Sequence, residues 1–195
     1  MKFTVEIVQD ENPESPREWD NLGTMVCWHK RYVLGDEQPK GWAWEWLELF
    51  AESLTDPNLL DYWRERDAEQ LNKLVWKILE QKVIMLPLFL YDHSGITMHT
   101  RSFSCPWDSG QVGYIFVTLE KVRREFSWKR MSTKRRERIK EVLTAEVKTY
   151  DTYLRGEVFG YTVRDGKNDV VDSCWGFYEL EIVQEEAIAA LRAAL

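Results

Sequence analysis

The stretch VIMLPLFLYDHSGITMHTRSF, residues 83–103, decides how the rest of the chain is read. Its first nine residues are apolar on both faces of a pleat, which suits a central strand. Pro87 among them has no N–H for a ladder, so a bulge or an unpaired edge is expected there. DHSG, residues 92–95, has turn chemistry. After it Ile96, Met98, Thr100 and Ser102 alternate with Thr97, His99, Arg101 and Phe103. Two such runs joined by a short turn make an antiparallel hairpin, and QVGYIFVTL, residues 111–119, supplies a further strand.

Reading outward from this hairpin, KFTVEIV at residues 2–8 alternates as a strand, and TMVCWHKRYVL at 24–34 reads as a second. Apolar spacing is helical over 42–54 and again over 59–81, with Asp56-Pro57 breaking the chain between them. Downstream, Thr133 is placed to cap a helix running to about Leu154, with Ile139, Val142, Leu143, Val147, Tyr150 and Leu154 on one stripe. Gly156 stands where a glycine ends a helix. VFGYTV and VVDSCWGFY form a second hairpin around Asp165-Gly166, and EEAIAALRAAL is a terminal helix, acidic at its start. The order predicts an α+β fold: a largely antiparallel sheet with helices on one face, in a single domain over 1–195 containing a helical lobe at 41–81.

At 44% hydrophobic and 30% charged residues the composition is that of an ordinary globular chain. No apolar run reaches the roughly 18–20 residues that span a bilayer, so no membrane partner is expected. The N-terminus turns acidic within ten residues and lacks a signal peptide's apolar core. Three cysteines make no disulfide framework, and reduced thiols in a cytoplasm are the expectation.

Cysteine and histidine are scarce enough to examine singly. Cys27 and His29 are two apart, so on a strand both would leave one face. With Cys105 they could contribute to a zinc site, although the spacing matches no finger, ribbon or zincin pattern. The alternative is small buried thiols and no cofactor. Cys105 with His93 or His29 as base and Asp92 or Asp108 as orienter has the ingredients of a thiol hydrolase, but Pro106 removes one oxyanion donor. SFSCPWDSGQVG, residues 102–113, reads equally as a specified turn. There Asp108 or Ser109 would bond backbone amides and Gly110 would take a positive φ. No phosphate-binding glycine loop is present.

Charge is the stronger signal. The net charge is −7, yet residues 121–140 hold ten Lys/Arg against two Glu, a local +8 that leaves −15 for the rest. Residues 1–80 carry 17 acidic against nine basic side chains. Lys134, Arg135 and Arg136 fall in the first turn of the expected helix, where cations oppose the macrodipole. With Arg130 they would attract an acidic protein surface or, with Phe126 and Trp128 available for stacking, nucleic acid. The bland alternative is that they face the chain's own acidic helices.

The blocks DNLGTMVCWHKRY, LPLFLYDHSGITM, FSCPWDSGQVGYIFV, YDTYLRGEVFGY and DSCWGFY together resemble a family of conserved proteins carried by bacteriophages, prophages and mobile elements. The resemblance runs from about Trp19 to Tyr178. It implies a phage accessory protein in the host cytoplasm that binds host machinery, a host protein above all, with anti-defence action or regulation of nucleic-acid processing among the roles. It implies no catalytic residues. The expected contact residues are then Arg130, Lys134, Arg135 and Arg136, with Asp92, His93, Trp107 and Asp108 in the motif loops. A small enzyme using Cys105, His93 and Asp108, and a nucleic-acid binder using the basic segment, are the alternatives.

Overall fold

The computed structural model describes residues 2–194, Pro57 by its backbone alone. The elements in chain order are β1 (Thr4–Gln9), β2 (Thr24–Cys27), α1 (Ala43–Ser53), α2 (Pro57–Arg64), α3 (Ala68–Lys82), β3 (Val83–Asp92) and β4 (Ile96–His99). There follow β5 (Ser109–Thr118), α4 (Leu119–Phe126), α5 (Thr133–Leu154), β6 (Phe159–Arg164), β7 (Val170–Phe177) and α6 (Leu180–Ala194). The fold is α+β, as expected, with the strands divided between two antiparallel sheets, ordered β1-β6-β7 and β2-β5-β3-β4. The chain forms two compact units: Met1–Trp19 with Asp92–Met98 and Lys148–Leu195, and Asp20–Tyr91 with His99–Val147.

The larger unit is built on β5, which pairs with β2 from Cys27↔Gly113 and with β3 from Val83↔Thr118. Val26, Val83 and Phe116 lie on one face and pack against Leu47 and Ala51 of α1 and Leu71, Val75 and Leu79 of α3. Ile115 therefore points to the other face, and there it meets α5. A Cβ added to Gly23 would lie 2.5 Å from Leu143 Cδ2 and 2.8 Å from Ile115 Cγ1. Helices thus cover both faces of this sheet. The Glu146 carboxylate holds the α5 side in place by accepting the N–H of Leu22 at 2.8 Å and of Gly23 at 3.2 Å. Leu143 is fully buried, and a leucine so placed contributes roughly 1.5–3 kcal/mol.

The smaller unit is a three-stranded sheet under α6. Phe3, Val5 and Ile7 line up with Phe159, Tyr161 and Val163 on one pleat face and receive Val183, Ala187 and Leu191 of α6. The end of α5 belongs to this unit. Gly156 has φ +68°, its N–H bonds the Tyr153 carbonyl, and the Glu157 N–H bonds that of Thr152, which is a Schellman closure.

Several local expectations are corrected. The second strand stops at Cys27, because His29 Nδ1 accepts the N–H of Arg31 at 3.3 Å and of Tyr32 at 3.1 Å and folds the chain away from the ladder. The helix expected over 59–81 is two helices, since the Asp67 carboxylate accepts the N–H of Glu69 and Gln70 and starts α3 afresh. Leu119, read as the last residue of a strand, instead starts α4, which Thr118 Oγ1 caps on the Lys121 N–H. Ser132 caps α5, not Thr133. Gly110 lies within β5 and has no positive φ. At Pro87 both expected features occur: the strand register slips between Leu88 and Phe89, and the first part of β3 is an edge.

Candidate functional site

The basic segment folds into one exposed feature. Leu119 and Val122 of α4 are buried, which turns Arg123 and Arg124 outward. Ser127 adopts a left-handed conformation, φ 53°, and ends α4, and the Trp128 N–H returns to the Arg123 carbonyl at 3.2 Å. This tight reversal stacks Trp128 on Phe126, with ring centres 4.7 Å apart. Two arginines of α5 then cover the pair: Arg135 at 4.7 Å from the Trp128 ring and Arg138 at 5.9 Å from that of Phe126. Arg135 Nη1 also donates to the Arg130 carbonyl at 2.6 Å.

Because Ile139, Leu143 and Val147 face the core, Lys134 and Arg138 are presented to solvent. A shallow cavity of about 550 Å³ lies among Trp128, Lys134, Arg135 and Arg138, with Glu137 and Glu141 on its wall. Cations at the first turn of α5 oppose the helix dipole by a few tenths of a kcal/mol each, and an anion docked there relieves both.

The acidic helices do not neutralise this surface. Glu48 and Glu52 bond Arg64 at 2.6 and 3.0 Å, and Asp61 bonds it too, so these carboxylates are used within the helical lobe. The Glu48 bond, then that of Glu52, raises the Arg64 guanidinium above its ordinary value. In the basic segment Lys140 pairs with Glu137 at 2.9 Å and Arg124 with Glu125 at 3.4 Å. Arg123, Lys129, Arg130, Lys134 and Arg136 make no ion pair among the described residues.

The other candidates are placed as follows. Cys27 is buried in β2, whereas His29 lies beyond the strand, stacked on Tyr32 at 5.0 Å, so the two share no pleat face. The Cys105 thiol donates to Asp108 Oδ2 at 3.6 Å, and the Ser109 hydroxyl bonds the Cys105 carbonyl. Cys174 is exposed on β7. Asp92 ends β3, and His93 is exposed in the following turn, its N–H bonded to the Gly95 carbonyl at 3.0 Å. Among the described residues no three His, Cys, Asp or Glu side chains are grouped to hold a metal. Trp107, at the tip of the 102–113 loop, is 92% exposed.

Sequence reasoning found the cations but missed their aromatic support. The spacing of Arg135 and Arg138 from Trp128 and Phe126 carries no signal until the Ser127 reversal folds α5 back over the indole. Among the described residues no helix is long and apolar enough to cross a membrane. No protein-family model, curated protein or solved structure matches the chain.

Proposed function

We propose that this chain is a binding protein of the mobile-element accessory type, which acts on a host macromolecule by docking an acidic protein surface on α4, α5 and the turn between them. The observation that carries the reading is the set of cations there that make no ion pair among the described residues, while Glu48 and Glu52 of the acidic helical lobe are engaged with Arg64. Long-range attraction of this kind speeds and orients encounter with a partner of opposite charge. The accessory context rests on the resemblance of the sequence blocks named above, and on that alone.

A protein partner is favoured over single-stranded nucleic acid by the state of the two aromatics. Base stacking needs an open ring face. Here Phe126 and Trp128 occupy one another, and Arg135 and Arg138 lie over them. The strongly acidic remainder of the chain further opposes a polyanion that must wrap beyond this patch.

The test compares the wild type with a Lys134→Glu, Arg138→Glu variant by cross-linking in host lysate and mass-spectrometric mapping, with binding of a fluorescent oligonucleotide measured in parallel. The expected outcome is a partner whose cross-links fall on an acidic segment and vanish in the variant, with no oligonucleotide held at about 200 mM salt. Capture unchanged by the reversal removes this surface from the account. Oligonucleotide binding that survives at that salt replaces the protein partner with nucleic acid.

A further inference from the structure

A cavity of about 730 Å³ in the larger unit is lined by Val83, Ile84, Met85 and Pro87 of β3. Four-residue β4 begins just after the turn at 93–95, so it can accompany only the last four residues of β3. Val83 to Leu88 therefore has β5 as its single strand neighbour, leaving roughly 20 Å of open edge. Pro87 pairs with Tyr114 and has no N–H to give it, so the outward positions of the ladder are Pro87, Met85 and Val83. The Val83 N–H is already bonded to the Leu79 carbonyl. By that alternation the Met85 N–H and the carbonyls of Val83 and Met85 are the groups directed away from β5.

The two walls differ in chemistry. Met85 and Pro87 share the pleat face of Phe116 and Tyr114, where α3 supplies Trp76 and Leu79, with Glu80 at the margin. Ile84 shares the face of Val117 and Ile115, where α5 supplies Arg136 and Lys140. Among the described residues Arg136 makes no ion pair, and Lys140 pairs with the exposed Glu137.

We propose that this edge binds an extended protein segment by strand addition, and that the segment alternates apolar and acidic side chains. Successive side chains of an added strand point to opposite faces. Apolar ones then meet Trp76 and Leu79, and acidic ones meet Arg136 and Lys140, while the segment's backbone bonds Met85 and Val83. The inference rests on the reading above of an acidic protein partner and names how that partner is gripped.

The probe is a synthetic peptide of alternating valine and glutamate, capped at both ends, titrated by calorimetry and by hydrogen exchange. Expected are saturable binding, slowed exchange of the Met85 amide, and an affinity loss of about tenfold or more when alternate peptide amides are methylated. Arg136→Glu with Lys140→Glu should lose the glutamate peptide and gain its valine–lysine counterpart, a swap that a misfolded variant could not show. Equal binding of the methylated peptide, or an unprotected Met85 amide, overturns strand addition. Polyglutamate bound as well as the alternating peptide leaves the acidic-partner reading standing and removes the groove. Binding of neither peptide removes both.

Discussion

The backbone N–H of Met98, a residue with no exposed surface, donates to Asp151 Oδ1 at 2.7 Å. The bond ties β4 to the last turn of α5, 53 residues away in sequence, and Arg155 stands 3.8 Å from the other carboxylate oxygen. Asp151→Ala leaves a buried donor without its acceptor and should cost about 1–3 kcal/mol, whereas Asp151→Asn keeps an acceptor oxygen and should cost less. Urea midpoints of the two variants measure this. An alanine variant as stable as the wild type would show that the bond contributes nothing.

Two glycines should respond differently to the same methyl group. A Cβ at Gly113 would sit 2.0 Å from the Val26 carbonyl oxygen, which is backbone in the paired strand and cannot step aside. Gly113→Ala should destabilise by about 3 kcal/mol or more. At Gly160 the nearest atom, at 2.2 Å, belongs to the side chain of Trp175, which is about half exposed, and the backbone oxygen of Cys174 is farther, at 2.9 Å. Gly160→Ala should cost about 1–2 kcal/mol. Thermal melts that rank the pair the other way would contradict the strand approach described.

Local chemistry explains which parts of this architecture could be read in advance. The apolar run announced a central strand and Pro87 an irregularity within it, and Gly156 announced the end of α5, because each residue type enforces its own backbone geometry. The α5 stripe was right in substance: Ile139, Leu143, Val147 and Tyr150 are buried. The division into two sheets was not legible, since β1 finds β6 across the length of the chain, at Thr4↔Arg164. The start of α3 was hidden because Leu60, Trp63 and Leu71 keep a helical phase straight across Asp67. At the site, ten cations within residues 121–140 were plain. That Arg135 lies over Trp128 and Arg136 beside the β3 edge depends on the Ser127 reversal and on α5 packing over Ile115.

The three thiols should separate by reactivity. Cys174 is exposed on β7, Cys105 is half-buried beside Asp108, and Cys27 is 1% exposed within β2. Alkylation of the native protein, followed by mapping of modified peptides, should label Cys174 first and Cys105 next. Cys27 should react at the rate of opening of β2 and become available in urea. Early labelling of Cys27 in the native protein would mean that the β2–β5 ladder opens far more readily than its burial implies.

Alkaline pH should act on stability through Tyr178. Its hydroxyl donates to the Glu14 carbonyl and its ring meets Trp19 edge-on at 5.1 Å. Burial first, then the neighbouring Tyr153, Glu14 and Asp10, pushes the phenol up from 10.0 to about 12. Burial likewise raises Tyr161, aided by Asp172. A raised folded-state value means that the folded chain keeps a proton which the unfolded chain releases. The contribution is therefore fully present below pH 10.0 and is lost as pH climbs toward about 12. Urea unfolding at about pH 8 and about pH 11 should show lower stability at the higher pH, and Tyr178→Phe should shrink that difference by removing one of the two phenols responsible. An unchanged difference in the phenylalanine variant, with a Tyr178 absorbance titration near 10.0, would show that the hydroxyl is not held from solvent as described.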